Sequence, residues 1–282
     1  MVSSTSFGDR LFFIPLKGML KDLKPVIEDK FRKCSIEYFN NFKLPSEDRK
    51  FLIEVVVDDD CAVCPYAIQI VSELPILFNN VIVKVYNATY LKEVPFKYLA
   101  TPAFRINEVV QFHGIPFAEG EEGRRKLREF FYQKLLKAYV LSHEKCKQFL
   151  STLRSFCNKY GYDRNPNFWK FLEIVAKILK NIDKYGLPYC PCRPVELKVL
   201  CPCNYSHSDI RKFGHCLCGL IWSHEKVREY VEKVRREREG LFKLLQVIKE
   251  LVSKFEEDVL FGDYLETYEK LQYAVMQLEG FV

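Results

Sequence analysis

FLIEVVVDDDCAVCPY, Phe51–Tyr66, decides the fold. Its first seven residues form a β-branched apolar run of strand length, too short for an ordinary helix. Asp58-Asp59-Asp60 end the run, and Cys61-Ala-Val-Cys64 follows at once. AIQIVSEL then reads as a helix, and VIVKVYN, residues 81–87, as a second buried strand. A C-x-x-C pair alone is a weak signal, because it is equally half of a zinc site. Here it follows a buried strand and opens a helix inside a β-α-β pattern, which favours redox chemistry. Backbone N–H groups at a helix N-terminus stabilise a thiolate there, as a disulfide-exchange nucleophile requires.

Outward from this core the pattern continues. YLKEVPFKYLA reads as a short helical link, and TPAFRINEVVQFHG as two short strands, giving the order β-α-β-α-β-β-α. Residues 121–160 are helical in pattern, with Gly161 as a cap. A clear amphipathic helix follows. Phe168, Leu172, Val175, Leu179 and Ile182 form one stripe, with Asn165 as N-cap and Gly186 as stop. Residues 1–48 read as an irregular start and then a helix broken by Pro25, with Cys34 as a buried structural thiol. Past Trp222 the chain is helical to its end, broken at Gly262. A helical hairpin fits residues 224–282, and the pattern falls short of the clean heptads of a coiled coil.

The chain has 282 residues, 48% of them hydrophobic, and a net charge of +6, enough for two domains with a soluble core. No apolar run approaches a membrane span, and the N-terminus lacks the layout of a secretion signal. The expected compartment is the cytoplasm, where structural disulfides are uncommon. The eleven cysteines are therefore expected to be metal ligands or redox thiols. GRRKLR (123–128) and KVRRER (233–238) read as solvated helix faces, or as a landing surface for an acidic partner. No aromatic-basic motif points to nucleic acid.

The second decisive stretch is YCPCRPVELKVLCPCNYSHSDIRKFGHCLCGLIW, Tyr189–Trp222. It carries three C-x-C pairs: Cys190/Cys192, Cys201/Cys203 and Cys216/Cys218. In extended backbone, residues i and i+2 point to the same side, so each pair presents two sulfurs to one object. One zinc takes four thiolates and leaves two without a role; two zincs need eight ligands, which the six cysteines supply only with His207 and His215. An iron–sulfur cluster also takes four thiolates. The surplus two then have work as a dithiol/disulfide beside a one-electron centre. Zinc stays open as the structural alternative, in a non-enzymatic interaction protein.

Two resemblances sharpen this. CAVCPY and Thr101-Pro102 make the region from Arg49 to Leu136 resemble the thioredoxin/glutaredoxin family. That implies Cys61 as nucleophile, Cys64 as its resolving partner and Pro102 as the cis-proline facing them. The segment from Cys146 to Trp222 resembles the catalytic subunit of ferredoxin:thioredoxin reductase, in its CPC, CPC and C-x-C pairs and in the helical lead-in LRSFCNKYGYDRNPNFWKFLEIVAKILKNIDKYGLPYCPC. This likeness implies a [4Fe-4S] cluster on Cys190, Cys201, Cys203 and Cys216. It also implies an active Cys192–Cys218 disulfide, with Cys192 facing solvent. The gaps between pairs differ from the plant-type enzyme. Leu217 stands where the family carries a histidine, and His215 is a candidate substitute.

The expected architecture is an α/β thioredoxin-like domain plus a mainly α iron–sulfur reductase domain with a helical C-terminal extension. Its parts are a helical segment (1–48), the thioredoxin/glutaredoxin-like domain (49–138), the reductase-like domain (139–223) and the hairpin (224–282). The resemblances imply a disulfide reductase taking electrons from ferredoxin. It would pass them to Cys61–Cys64 and on to thioredoxin-like or other disulfide proteins.

Overall fold

The computed structural model describes residues 10–33, 49–116, 120–196 and 199–239. Cys34 and the expected hairpin beyond residue 239 lie outside them.

A five-stranded mixed sheet forms around β2 (Phe51–Val57). Six of its seven residues are buried, which is why the run does not alternate polar with apolar. β3 (Val81–Asn87) lies parallel to it, with Val55 opposite Val85. The crossover is made by α2 (Cys64–Val71) and the single turn α3 (Leu74–Leu77). On the other side β4 (Ala103–Ile106) runs antiparallel to β2, and β5 (Val110–His113) antiparallel to β4. Asn107 and Glu108 take positive φ in the β4–β5 turn, where the Asn107 side chain accepts the Leu52 N–H at 2.8 Å. Glu54, buried on the central strand, faces its register partner Arg105 at 2.6 Å.

Around this sheet the sequence expectation differs from the structure at three places. Leu11–Ile14 is not irregular but forms β1, parallel to β3 at the sheet edge. α1 (Met19–Lys33) runs through Pro25 instead of breaking there. Pro25 is exposed, and its missing N–H costs one hydrogen bond on the solvent side while Leu20 and Ile27 are buried. YLKEVPFKYLA is not helical beyond its first residue, Tyr90, which ends a short 3-10 turn, Ala88–Tyr90, capped by the Asn87 side chain.

α4 (Gly120–Ser142) joins the two halves of the molecule. Leu127, Phe131, Leu135 and Tyr139 are fully buried along it. Near its start Arg128 bonds Glu73, the N-cap of α3 just after α2, at 2.9 Å. Near its end it packs on α6 (Phe168–Tyr185). The expected division at 138–139 thus falls inside one helix. α5 (Cys146–Tyr160) ends on Gly161 in the left-handed conformation, and α6 on Gly186, as expected. The N-cap of α6 is Asn167, not Asn165. Asn165 accepts the Asn167 N–H at 2.9 Å and donates to the Gly219 carbonyl at 2.8 Å. Among the described residues, no helix is long and apolar enough to cross a membrane.

Where α4 meets α6, the fully buried imidazole of His143 bonds Asp183 at 3.1 Å. Asp183 also accepts from Arg49 at 3.3 Å and from the Tyr139 hydroxyl at 3.4 Å. Burial, helped by the Arg49 charge and opposed by Asp183, holds the His143 pKa below its ordinary 6.5. Below 6.5 the unfolded chain therefore takes up a proton that the folded chain refuses. This contribution is fully present above 6.5 and falls as pH drops through the window beneath it. Urea unfolding midpoints should decline between about pH 7 and pH 5, and His143→Gln should flatten that decline.

Candidate functional site

Cys61 and Cys64 form a disulfide where β2 gives way to α2, with Cα atoms 5.4 Å apart. Cys64 is the first residue of α2 and is buried, whereas Cys61 is half-buried. The Cys64 backbone N–H points at the Cys61 sulfur at 3.1 Å, so on reduction negative charge on Cys61 has a donor waiting. Cys61 N–H donates to the Asp58 carbonyl at 3.2 Å, which closes the turn. Asp59 accepts from Asn87 at 2.7 Å and from the Met19 N–H at 3.2 Å, tying the loop to the start of α1. Thr101–Pro102 is a cis peptide just before β4.

The six-cysteine segment builds the second site. Cys190 N–H donates to the Val199 carbonyl at 2.8 Å, and Cys201 N–H to the Pro188 carbonyl at 2.7 Å. These bonds set the first two C-P-C strips side by side. The third pair is brought in by the turn after α7 (Ser206–Phe213). Cys216 N–H donates to the Ile221 carbonyl at 2.8 Å, and Ile221 N–H returns to the Cys216 sulfur at 3.2 Å. Ile221 opens β7 (Ile221–Ser223), which pairs with β6 (Tyr162–Arg164). Gly219, at φ +75°, turns the chain here, a conformation that side chains disfavour.

The sulfurs of Cys190, Cys192 and Cys218 lie within 4.8 Å of one another. Cys216 and Cys218 are 3.5 Å apart. Cys190, Cys201, Cys203 and Cys216 are buried, Cys218 is half-buried and Cys192 is exposed. Thiol bonds from Cys203 and Cys218 hold the Cys190 pKa down at about 3. The donors Cys203 and Cys218 are correspondingly pushed up. Cys216 is lowered mainly by the bond from Cys218, and Cys201 is raised by burial. Burial and the neighbouring sulfurs Cys190 and Cys216 raise Cys192. A group of thiols this close and mostly buried is a donor set of the kind that soft metals take.

Several neighbours escaped sequence reading. Arg193 holds Asp209 through both carboxylate oxygens at 2.9 and 2.8 Å and lies 4.5 Å over the Tyr205 ring. Its charge acts on Cys190 and Cys203, and its Nε–H is buried without a partner. Asp209 in turn accepts the Leu217 N–H at 3.2 Å. Cys157, buried on α5, stands within the field of Cys216, and burial pushes its thiol up to about 11. His207 is half-buried. Its Nδ1 bonds the Tyr162 hydroxyl at 2.9 Å, and its ring sits against Phe156 and Tyr160. His215 Nδ1 donates to the Cys216 carbonyl at 2.8 Å, with its ring 5.4 Å from Trp222. Leu217 is exposed. The metal-capable group among the described residues thus consists of cysteines alone. Neither His207 nor His215, which a two-zinc site would need, belongs to that group.

Residues 141–243 match the family model of the ferredoxin thioredoxin reductase catalytic beta chain. No curated protein matches the chain.

Proposed function

We propose that the chain is an iron–sulfur disulfide reductase. It would take electrons singly from ferredoxin or a similar carrier and deliver them in pairs to protein disulfides. One observation carries this reading: the three sulfurs of Cys190, Cys192 and Cys218 within 4.8 Å, inside the region matched by the reductase family. The donor set suits an iron–sulfur cluster: the sulfurs within metal distance are all thiols, although Cys190 alone of the four proposed ligands is among them, the other three cysteines of the set are buried, and an Arg193 N–H is unpartnered nearby. Cys190, Cys201, Cys203 and Cys216 would hold a [4Fe-4S] cluster, which supplies one-electron chemistry when bound.

The remaining pair does the bond-making. Cys192, exposed, attacks the target disulfide; Cys218, half-buried against Cys216, resolves the mixed disulfide. Arg193, locked by Asp209, compensates negative charge at Cys190 and Cys203. His215 supports the site by fixing the Cys216 backbone. The direction is favourable: a plant-type ferredoxin near −400 mV and thioredoxin near −270 mV differ by about 130 mV, on the order of 6 kcal/mol for two electrons.

The sheet with Cys61–Cys64 is read as a thioredoxin/glutaredoxin-like domain at 49–138, flanked by the reductase domain at 139–223. The cis Thr101–Pro102 and the disulfide at the start of α2 support that reading. β1, in the same sheet, and the following helix α1 extend it towards the N-terminus. Electrons leaving Cys192–Cys218 go to Cys61–Cys64 and then to an outside protein. The test is anaerobic reduction of a protein disulfide by the full chain with reduced ferredoxin. Catalysed turnover by brown protein is expected. Colourless protein with stoichiometric zinc and no turnover would establish the zinc-stabilised interaction protein instead.

A further inference from the structure

The two thiol sites lie at different levels along the bridging helix. Arg128 of α4 bonds Glu73 at 2.9 Å, and Tyr66, earlier on α2, lies in the field of Arg124, earlier on α4. The two helices therefore run parallel. Cys64, the first residue of α2, stands about 13 Å above the Arg128–Glu73 bond, at 1.5 Å per helical residue, and its disulfide partner Cys61 lies before the helix begins. α6 also runs parallel to α4, because Tyr132 feels Glu173 and Tyr139 reaches Asp183. The second thiol site lies along the middle of α6. A side chain on Gly219 would meet Ile174 at 4.0 Å, Cys192 feels the Lys177 charge, and Asn181 donates to the Tyr189 carbonyl at 2.8 Å. That level is about 10 Å below Arg128 along α4. Ile174 and Asn181 also project from the side of α6 opposite Asp183, since 3.6 residues make a turn. The sites are therefore roughly 20 Å apart, whereas a disulfide needs Cα atoms within about 7 Å. Closing that gap would break the buried α4–α6 packing and the His143–Asp183 bond.

From this separation, and resting on the reductase reading above, we infer that Cys192 of one chain reduces the Cys61–Cys64 disulfide of a second copy. Charge favours the encounter. Exposed Asp60 adjoins Cys61 in sequence, and the charge of exposed Lys177 reaches Cys192. The exchange balances. The Cys192 thiolate bonds to the partner's Cys61 sulfur, the Cys61–Cys64 bond breaks, and Cys64 leaves as a thiolate that takes a proton from water. Cys218 then bonds to Cys192 with loss of its own proton and releases Cys61. Two electrons have passed, and Cys192–Cys218 is left oxidised for a low-potential one-electron carrier to re-reduce.

The experiment uses the full chain carrying Cys218→Ser, which cannot resolve the adduct, with Cys61–Cys64 oxidised. Isotopically heavy and light batches are mixed anaerobically, quenched with a maleimide that caps Cys64, and mapped by mass spectrometry. Cys192–Cys61 peptides joining heavy to light chains at the level of random mixing are expected, forming faster as concentration rises. Asp60→Lys should slow their formation about tenfold at low salt, and Lys177→Glu should restore it; unchanged rates overturn the proposed docking face. Adducts only within heavy or within light chains overturn exchange between copies while leaving the reductase intact. No adduct, with the parent dithiol still reducing another protein's disulfide, also overturns it. If that reduction fails as well, the reductase reading itself is wrong.

Discussion

Cys192→Ser is expected to abolish disulfide reduction, by about 10³-fold or more, while the chain keeps its iron. Cys192 is the exposed member of a sulfur group whose other members are buried or half-buried. An outside disulfide can reach no other sulfur of the six as readily. A serine hydroxyl at that position is not ionised near neutral pH and cannot take the place of a thiolate. Because the raised pKa of Cys192 comes from burial and from Cys190 and Cys216 nearby, the parent's rate should rise with pH as the thiolate fraction grows. Single-turnover reduction of a protein disulfide, followed from about pH 6 to pH 9, reads both effects. A variant that keeps full rate would move the nucleophile to another sulfur.

The second large effect is expected at Cys201. It is nearly fully buried and belongs to the main core as well as to the thiol cluster. Cys201→Ser should lose the bound iron and destabilise the chain by about 3–5 kcal/mol, because metal binding free energy is folding free energy at a site assembled by the fold. Cys157→Ala is the control. It removes a buried thiol from the same neighbourhood, on α5, and should keep the iron. Iron analysis with urea unfolding separates a lost ligand from a lost core atom. Equal iron in both variants would remove Cys201 from the ligand set.

Much of this was legible in the sequence, for identifiable reasons. Phe51–Val57 announces a strand buried on both faces by its unbroken β-branched run. Gly161 and Gly186 end their helices as expected, because the left-handed C-cap suits glycine. The C-x-C spacing puts the cysteines together before any long-range contact is known. What was hidden depends on tertiary partners. Leu11–Ile14 is too short to declare itself a strand and is one only because β3 offers an edge. Asn165 and Asn167 are equivalent caps on paper; the Gly219 carbonyl draws Asn165 away. His207 looks solvated beside two serines, and only the chain's return brings Tyr162, Tyr160 and Phe156 around it. The Arg193–Asp209 pair spans a helix start that spacing does not reveal. The distance between the two thiol sites has no local signature at all, since it follows from the length of α4.

The most direct measurement is iron and acid-labile sulfide in anaerobically prepared full chain carrying both Cys192→Ser and Cys218→Ser. About four of each per chain, equal to the parent, are expected if four sulfurs hold the cluster and two do the exchange. Loss of iron from that double variant, or stoichiometric zinc in the parent, would contradict the division of labour among the six.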